Sequence, residues 1–283
     1  MSASNPSAGD NADLRGLSSL LVLVGAGKMG GAMLDGWLRA GLDPANAAVI
    51  EPNPSSQISA LAKRGVRLNP DAAALTRVAA VVIAVKPQIV DQVLPAIAPA
   101  IGASTLVVSI MAGRTLQFLS GALTNASAFV RAMPNTPAAI GRGITVAVPL
   151  RANKTQRDLA HVLLSATGTV EWVEDERLMD AVTAVSGSGP AYVFLLAEAL
   201  AQAGAAAGLP QPLAEKLARE TVAGSGELLH RSALDAATLR ENVTSPGGTT
   251  AAALEVLMDK NGLGPLMNKA VAAATERSRK LAG

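Results

Sequence analysis

Residues 20–30 read LLVLVGAGKMG. The apolar half predicts a short buried strand, and the glycines that follow have the GxGxxG spacing that binds dinucleotides when it joins a strand to a helix. In that setting Gly25 allows a tight turn, Gly27 lets the backbone approach a pyrophosphate, and Gly30 lets the helix pack closely on the strand. The free N–H groups at the start of the helix can then bind the phosphates. The alternative is an ordinary glycine-rich turn.

On either side of this turn, the first two-thirds of the chain alternates strand and helix patterns. Further strands are predicted at residues 47–50, 78–85, 106–110, 129–130 and 144–148. Apolar strands separated by helices are typical of a doubly wound, mainly parallel sheet with both faces covered. From Asp175 onward the pattern is helical, with helices predicted at residues 191–207, 212–230, 249–258 and 265–281. The fold class predicted is therefore an α/β Rossmann domain over residues 18–173, then an all-α domain over 174–283, after a disordered tail at 1–17.

Composition excludes several classes of protein. The formal net charge is only +2 and no basic stripe with interleaved aromatics occurs, so nucleic-acid binding is not expected. The chain has no cysteine, and His161 and His230 lie far apart, so neither thiolate chemistry nor a metal site is expected. Prolines break the uncharged run at residues 92–113, whereas a membrane-spanning helix needs about 20 continuous apolar residues. With no signal segment at the N-terminus, we expect a cytoplasmic protein without membrane contact.

Glu51 follows the second predicted strand, where an acidic residue of this fold binds the ribose 2′-hydroxyl. Taken alone it favours NAD, because a carboxylate repels a 2′-phosphate. However, Asn53, Ser55 and Ser56 follow directly and could donate hydrogen bonds to that phosphate. The alternative is that Glu51 points to solvent, as most charged side chains do. The sequence leaves the choice between NADH and NADPH open.

Other candidate residues follow the ends of later strands. Ligands of doubly wound sheets bind outside the carboxyl ends of the strands, so Lys86 and Pro87 are expected to border the cofactor. Asn135 lies between Pro134 and Pro137 in a loop stiffened by both prolines, which suits positioning of a nicotinamide. The alternatives are a solvated loop lysine and a plain turn at the domain edge.

Two more glycine-rich segments precede predicted helices: residues 186–192, SGSGPAY, and residues 245–250, SPGGTT. Free N–H groups and the helix dipole at such positions attract an anion such as a carboxylate. The alternative is simple N-capping, with Thr250 capping a helix that begins near Ala251. No His, Cys or paired carboxylate accompanies these segments. A ketone reductase needs a proton donor, whereas an imine can be protonated before it binds, so the sequence favours an imine-reducing dehydrogenase.

Together these segments resemble pyrroline-5-carboxylate reductases. The matching stretches occur in the family's order, at residues 25–30, 84–88, 109–113, 131–137, 186–192 and 243–250. The resemblance implies a Rossmann domain followed by a helical dimerisation domain like the C-terminal domain of 6-phosphogluconate dehydrogenase. It further implies that NADPH or NADH reduces a cyclic imine carboxylate, 1-pyrroline-5-carboxylate, to L-proline in the last step of proline biosynthesis.

The resemblance also implies the site and the assembly. The substrate is expected between the nicotinamide and the SPGGTT loop of a partner subunit, in a dimer or a decamer of five dimers. Thr250 would hydrogen-bond the ring nitrogen as the catalytic residue. The substrate-binding residues implied are Ser245, Gly247, Gly248, Thr249 and Thr250. The cofactor-binding residues implied are Gly25, Gly27, Lys28, Met29, Gly30, Glu51, Asn53, Ser55, Ala84, Val85, Lys86, Pro87, Met111, Ala112 and Asn135. Glu51 departs from the small polar residue common in the family, which puts the usual NADPH preference in question.

Two other functions are compatible with the dinucleotide motif. A related β-hydroxyacid or imine dehydrogenase usually carries a catalytic lysine on the interdomain helix, but the matching residues 187–192 contain none. A non-catalytic dinucleotide sensor would keep residues 25–30 but has no reason to keep residues 245–250.

Overall fold

The computed structural model describes residues 13–282. Residues 1–12, most of the expected tail, lie outside that range. Residues 13–17 pack on the domain: Leu14 is buried, and its N–H donates to the Ala40 carbonyl at 2.9 Å. The first domain therefore begins before the predicted residue 18, because a leucine in the expected tail joins its core.

The α/β part contains one eight-stranded sheet with the order β3-β2-β1-β4-β5-β6-β7-β8. The strands are β1 (Leu20–Val24), β2 (Ala47–Ile50), β3 (Arg67–Leu68), β4 (Val78–Ile83), β5 (Leu106–Ser109), β6 (Ala128–Met133), β7 (Gly143–Leu150) and β8 (Gly168–Trp172). All neighbouring pairs are parallel except β6 and β7, which are antiparallel. The predicted mainly parallel sheet is confirmed.

Helices cover the sheet and then make up the C-terminal part. They are α1 (Lys28–Arg39), α2 (Ser56–Ala62), α3 (Val90–Ile97), α4 (Leu116–Ala122), α5 (Lys154–Ser165), α6 (Met179–Val182), α7 (Gly189–Ala206), α8 (Gln211–Arg231), α9 (Ala236–Asn242), α10 (Thr249–Leu257) and α11 (Leu263–Ala282). The four helices predicted in the C-terminal part are confirmed as α7, α8, α10 and α11, whereas α6 and α9 were not predicted.

Alternation along β1 sends side chains into cores on both faces of the sheet. Leu21 and Leu23 join one core with α1, α2 and α5. Val22 and Val24 join the other with α3 and α4. Trp37 of α1 is fully buried, and its indole N–H donates to the Leu163 carbonyl of α5 at 2.8 Å. The cores hold the carboxyl edge of the sheet, with its connecting loops, in a fixed arrangement.

The chain divides into two compact units, one ending at Gly187 and the other comprising Ser188–Ala274. The end of α11, from Thr275, belongs to the first unit. The sequence predicted a boundary at residues 173 and 174, after the last strand. The first unit extends further because Met179 is buried in its core and Asp180 accepts a 2.7 Å hydrogen bond from the Ser278 hydroxyl.

The second unit has no large buried apolar side chain within its described residues. Its buried hydrophobic residues are Ala201, Ala214 and Ala218, where α7 and α8 pack closely. Many of its large apolar side chains are exposed, including Val193, Phe194, Leu195, Leu196, Leu213, Leu217, Leu228, Leu229, Val256, Leu257 and Met258. Such a surface is characteristic of a protein interaction site.

Candidate active site

The glycine-rich turn joins β1 to α1, as predicted, and its glycines have different surroundings. Gly25 has φ +89°, and a Cβ there would lie 2.8 Å from the Ala84 carbonyl oxygen. A Cβ on Gly30 would overlap the Gly25 carbonyl oxygen. By contrast, nothing lies within 4 Å of a Cβ built on Gly27, the N-cap of α1, which has no side-chain cap. Two glycines thus close the turn, and the third leaves open space beside uncapped N–H groups, an arrangement that fits a pyrophosphate.

Neighbouring strand ends meet at the same edge. The Ala84 N–H donates to the Val24 carbonyl at 2.7 Å, and the Ile110 N–H donates to the Ile83 carbonyl at 3.0 Å. Residues 84–87 and 110–112 therefore line one edge with the glycine turn. The Lys86 side chain is exposed, whereas the Met111 side chain is buried in the core. Of Met111, only the backbone is available to a ligand at this edge.

Glu51 is held against the glycine turn. Its Oε2 accepts a 3.0 Å hydrogen bond from the Ala26 N–H, and its Oε1 accepts a 3.1 Å bond from the Asn53 N–H. The Asn69 side chain fixes the Glu51 backbone, accepting from its N–H at 2.8 Å and donating to its carbonyl at 2.9 Å. The alternative, that Glu51 simply points to solvent, is wrong, because both carboxylate oxygens accept backbone hydrogen bonds.

A cavity of about 640 Å³ lies beside Glu51 in the first unit. Among the predicted cofactor-binding residues, it is lined by Gly27, Lys28, Glu51, Asn53 and Ser55. The structure thus brings these five predicted residues together around one cavity at the carboxyl edge of the sheet. Ligands of open α/β sheets bind at that edge.

Asn135 already has a structural role. Its Oδ1 accepts a 2.9 Å hydrogen bond from the Ile144 N–H at the start of β7, so it stabilises the proline-containing loop. In the strand that precedes this loop, the buried Arg131 of β6 forms a 2.8 Å ion pair with Glu176, whose carboxylate also accepts from the Leu116 N–H at 2.9 Å. Sequence reasoning did not single out Arg131 or Glu176, because the two are far apart in the chain.

In the second unit, residues 245–250 form a tight turn and a helix start. The Gly248 N–H donates to the Ser245 carbonyl at 3.0 Å, and Gly247 has φ +68°, a value that favours glycine. Helix α10 begins at Thr249, with Gly248 as an N-cap that lacks a side-chain cap. Thr250 therefore lies inside the first turn of α10, and the alternative, that it caps a helix beginning near Ala251, is wrong.

Hydroxyl groups in this loop are available to a ligand. Within the part of the chain that the structure describes, no hydrogen bond involves the Ser245, Thr249 or Thr250 side chains. Gly248 and Thr250 are half-buried and the other residues of the loop are exposed. The loop presents hydroxyls and the N–H groups of an uncapped helix end, which together can bind a carboxylate.

Sequence reasoning gave Ser186 little weight. It lies in a π-helical segment, Thr183–Gly187, and its hydroxyl is buried without a hydrogen-bond partner among residues 13–282. Segments of this kind often occur at functional sites. The SGSGPAY pattern was the available signal, but a serine in such a pattern is equally compatible with a cap. Over the same residues, no cluster of three potential metal ligands is found.

The mainly parallel sheet, the glycine turn and the cavity beside Glu51 define a dinucleotide-binding protein of the Rossmann type. Residues 176–281 match a family model described as pyrroline-5-carboxylate reductase dimerisation. Residues 20–113 match one described as NADP oxidoreductase, coenzyme F420-dependent.

Similar proteins cover nearly the whole chain. A pyrroline-5-carboxylate reductase of Synechocystis sp. is 42% identical over 94% of this chain and 99% of its own. A pyrroline-5-carboxylate reductase structure from Coxiella burnetii is 35% identical, with a TM-score of 0.86 over 94% of this chain and 99% of that one. The NADP-bound pyrroline carboxylate reductase of Plasmodium falciparum is 31% identical, with a TM-score of 0.77 over the same shares. The chain belongs to the pyrroline-5-carboxylate reductase family.

Proposed function

We propose that this chain reduces 1-pyrroline-5-carboxylate to L-proline with NAD(P)H, the last step of proline biosynthesis. The observation that carries the proposal is the 42% identity to a reductase over 94% of the chain, a share too large to leave out either the glycine turn at residues 25–30 or the SPGGTT loop at residues 245–250. Reduction of the C=N bond requires one hydride and one proton. The bound nicotinamide supplies the hydride, and the proton is already on the ring nitrogen when the imine binds as an iminium.

The cofactor side of the site belongs to the first unit. The N–H groups from Gly27 onward, with Lys28 and Met29, bind the pyrophosphate, and Glu51 binds the adenosine ribose. Asn53 and Ser55 line the same cavity. Ala84, Val85, Lys86, Pro87, Met111 and Ala112 border the cofactor along the strand ends, with Asn135 on the nicotinamide side. The fixed sheet edge orients the ring for hydride transfer, which removes much of the entropic cost of the reaction.

The substrate side belongs to the SPGGTT loop. The N–H groups of Gly247, Gly248 and Thr249, together with the Ser245 hydroxyl, bind the substrate carboxylate. The Thr250 hydroxyl accepts a hydrogen bond from the protonated ring nitrogen, which holds the iminium carbon in position. None of these residues needs to act as an acid or base, which agrees with the absence of His and Cys from residues 245–250.

Self-association completes the site. The matched dimerisation model supports self-association. We propose a dimer in which the loop of one copy faces the nicotinamide of the other, with a decamer of five dimers as the larger assembly.

One helical stretch, Glu176–Ala206, is long and apolar enough to cross a membrane. Only 11% of its most apolar 18-residue segment is buried within the described chain. A partner helix would cover the same apolar residues, so we propose self-association and a cytoplasmic location for this chain.

The proposal is tested by following NADH and NADPH oxidation with 1-pyrroline-5-carboxylate, with EDTA present and L-proline quantified. We expect substrate-dependent oxidation and stoichiometric proline, because no step needs a metal ion. Parallel assays with a β-keto acid test the hydroxyacid dehydrogenase alternative. Oxidation with the keto acid and not with the imine, or no oxidation with either, would contradict the proposal.

A further inference from the structure

The Glu51 carboxylate has little freedom to move away from a bound nucleotide. One oxygen accepts from the Ala26 N–H in the glycine turn, and the other accepts from the Asn53 N–H. The Asn69 side chain bonds both polar groups of the Glu51 backbone. A side chain fixed at both ends in this way cannot swing into solvent without giving up hydrogen bonds to backbone N–H groups.

The position of this carboxylate suits a free ribose and opposes a phosphorylated one. It borders the cavity that opens beside Gly27, where a ribose would lie after the pyrophosphate. A carboxylate with spare lone pairs can accept hydrogen bonds from the 2′- and 3′-hydroxyls. A 2′-phosphate would bring about two further negative charges next to it, and the repulsion is strong where water is partly excluded. We propose that Glu51 is the specificity-determining residue that makes this chain prefer NADH to NADPH. The inference rests on the proposed function only in taking this cavity as the cofactor site.

Neighbouring polar groups do not offset the carboxylate. The Asn53 N–H already donates to Glu51, and the Ser55 hydroxyl, which accepts from the Ile58 N–H as the N-cap of α2, is a neutral donor that would not cancel the charge of a phosphate. The cavity lining contains two cations, Lys28 and Arg39, and two carboxylates, Asp35 and Glu51. Its formal charges therefore cancel, and the described lining has no surplus positive charge for an extra phosphate.

The preference for NADH over NADPH depends on side chains of this chain and is not a property of the fold. The Plasmodium falciparum reductase, 31% identical, holds NADP in its structure. A related sheet and turn can therefore accommodate the phosphorylated cofactor, and discrimination has to come from side chains around the ribose. Of the two carboxylates in the described lining, Glu51 is the one bonded to the glycine turn, so its charge and its position both disfavour the phosphate.

Equilibrium binding of NADH and NADPH, measured by the fluorescence of the reduced nicotinamide without substrate, tests the inference. The unmodified chain should bind NADH at least about tenfold more tightly than NADPH. Glu51→Gln keeps the shape and removes the charge, so the preference should shrink. Glu51→Ser also removes the bulk and should bring the two affinities to parity or favour NADPH.

Asp35→Asn is the matched control. It removes one negative charge from the same cavity, where the Asp35 carboxylate accepts from Gln57 at 3.0 Å. The affinity ratio should then change less than in Glu51→Gln, because the Asp35 carboxylate is bound by the Gln57 amide, whereas the Glu51 carboxylate is bound to the glycine turn. An equal response to Asp35→Asn and Glu51→Gln would overturn the assignment to Glu51.

Three other results would also overturn the inference: equal or tighter NADPH binding by the unmodified chain, an unchanged ratio in both Glu51 variants, or no binding of either nucleotide. The first needs no variant, so it remains decisive even if the variants fold poorly. The binding measurement contains no substrate, so it is independent of the activity assay. If NADH bound tightly but the imine were not reduced, the proposed function would be contradicted and the NADH preference would still hold.

Discussion

Thr250 lies in the first turn of α10, and its hydroxyl has no hydrogen-bond partner in the described part of the chain. Thr250→Val keeps the side-chain shape and removes that hydroxyl. A hydrogen bond to a charged group is worth about 1.5–3 kcal/mol. We therefore expect kcat/KM for the imine to fall about ten- to a hundredfold, since about 1.4 kcal/mol corresponds to a factor of ten.

Cofactor affinity and thermal stability separate this role from a structural one. Both should be nearly unchanged in Thr250→Val, because the hydroxyl neither caps α10 nor belongs to the nucleotide-binding unit. Thr238→Val in the first turn of α9 is the control: it removes a hydroxyl that hydrogen-bonds the Asp235 carboxylate, so it should lower the thermal midpoint somewhat and leave the kinetics intact. Unchanged kcat/KM in Thr250→Val would remove Thr250 from the active site.

Ser186 carries a buried hydroxyl without a partner among the described residues. Leaving such a group unsatisfied costs about 1–3 kcal/mol. Ser186→Ala should therefore leave the midpoint of thermal unfolding unchanged or raise it, as calorimetry would show. A clear fall in the midpoint would mean that the hydroxyl is bonded in the folded protein. A fall in activity together with a raised midpoint would indicate that a bound ligand is its partner.

Side-chain hydrogen bonds are what the sequence predicted least well. The position of Asn135 in a rigid loop was predicted, but its bond to the Ile144 N–H depends on how β7 returns beside β6. Likewise, the spacing of Glu51 suggested the ribose, but its bond to Ala26 joins residues 25 positions apart. Such contacts depend on the packing of elements that are distant in sequence, which no local pattern encodes.

Secondary-structure elements were predicted well where their patterns are long or fully apolar. Strands β1, β2, β4 and β5 are buried on both faces, and that burial requires continuous runs of apolar residues. Strands β3 and β8 were missed, because these edge strands carry exposed or polar residues that read as loop. Helix α9 was missed because it has only seven residues and none of them is buried.

The turn between β1 and α1 gives a matched pair of variants. Gly30→Ala would force a Cβ onto the Gly25 carbonyl oxygen, and such overpacking costs about 1–3 kcal/mol or more. Gly27→Ala adds its Cβ to open space at a negative φ, so the free energy of unfolding should hardly change. That methyl group would nevertheless occupy the space of the pyrophosphate, so nucleotide affinity should fall.

Chemical denaturation and nucleotide binding, measured on both variants, check this pair. Gly30→Ala should lose stability, whereas Gly27→Ala should keep stability and lose affinity. Equal stability loss in both would mean that Gly27 also serves packing. Unchanged nucleotide affinity in Gly27→Ala would contradict its position beside the pyrophosphate.

The molecule as a whole has one unit with a core on each face of a sheet and a second unit whose buried apolar side chains are alanines. A single copy leaves many large apolar side chains of α7, α8 and α10 exposed. We expect an obligate dimer through the second unit, because burial of these side chains is the main stabilising term open to it. Sedimentation at assay concentration should show no active monomer, and a fully active monomer would contradict the account.

Hydride transfer to the imine carbon can be followed with an isotope. The chain is incubated with 1-pyrroline-5-carboxylate and with NADH or NADPH that carries deuterium at both C4 positions of the reduced nicotinamide. The account predicts L-proline with one deuterium, bound to C5, the former imine carbon. Proline without deuterium, deuterium at another carbon, or oxidised cofactor without any proline would contradict the claim that this chain reduces the cyclic imine by direct hydride transfer.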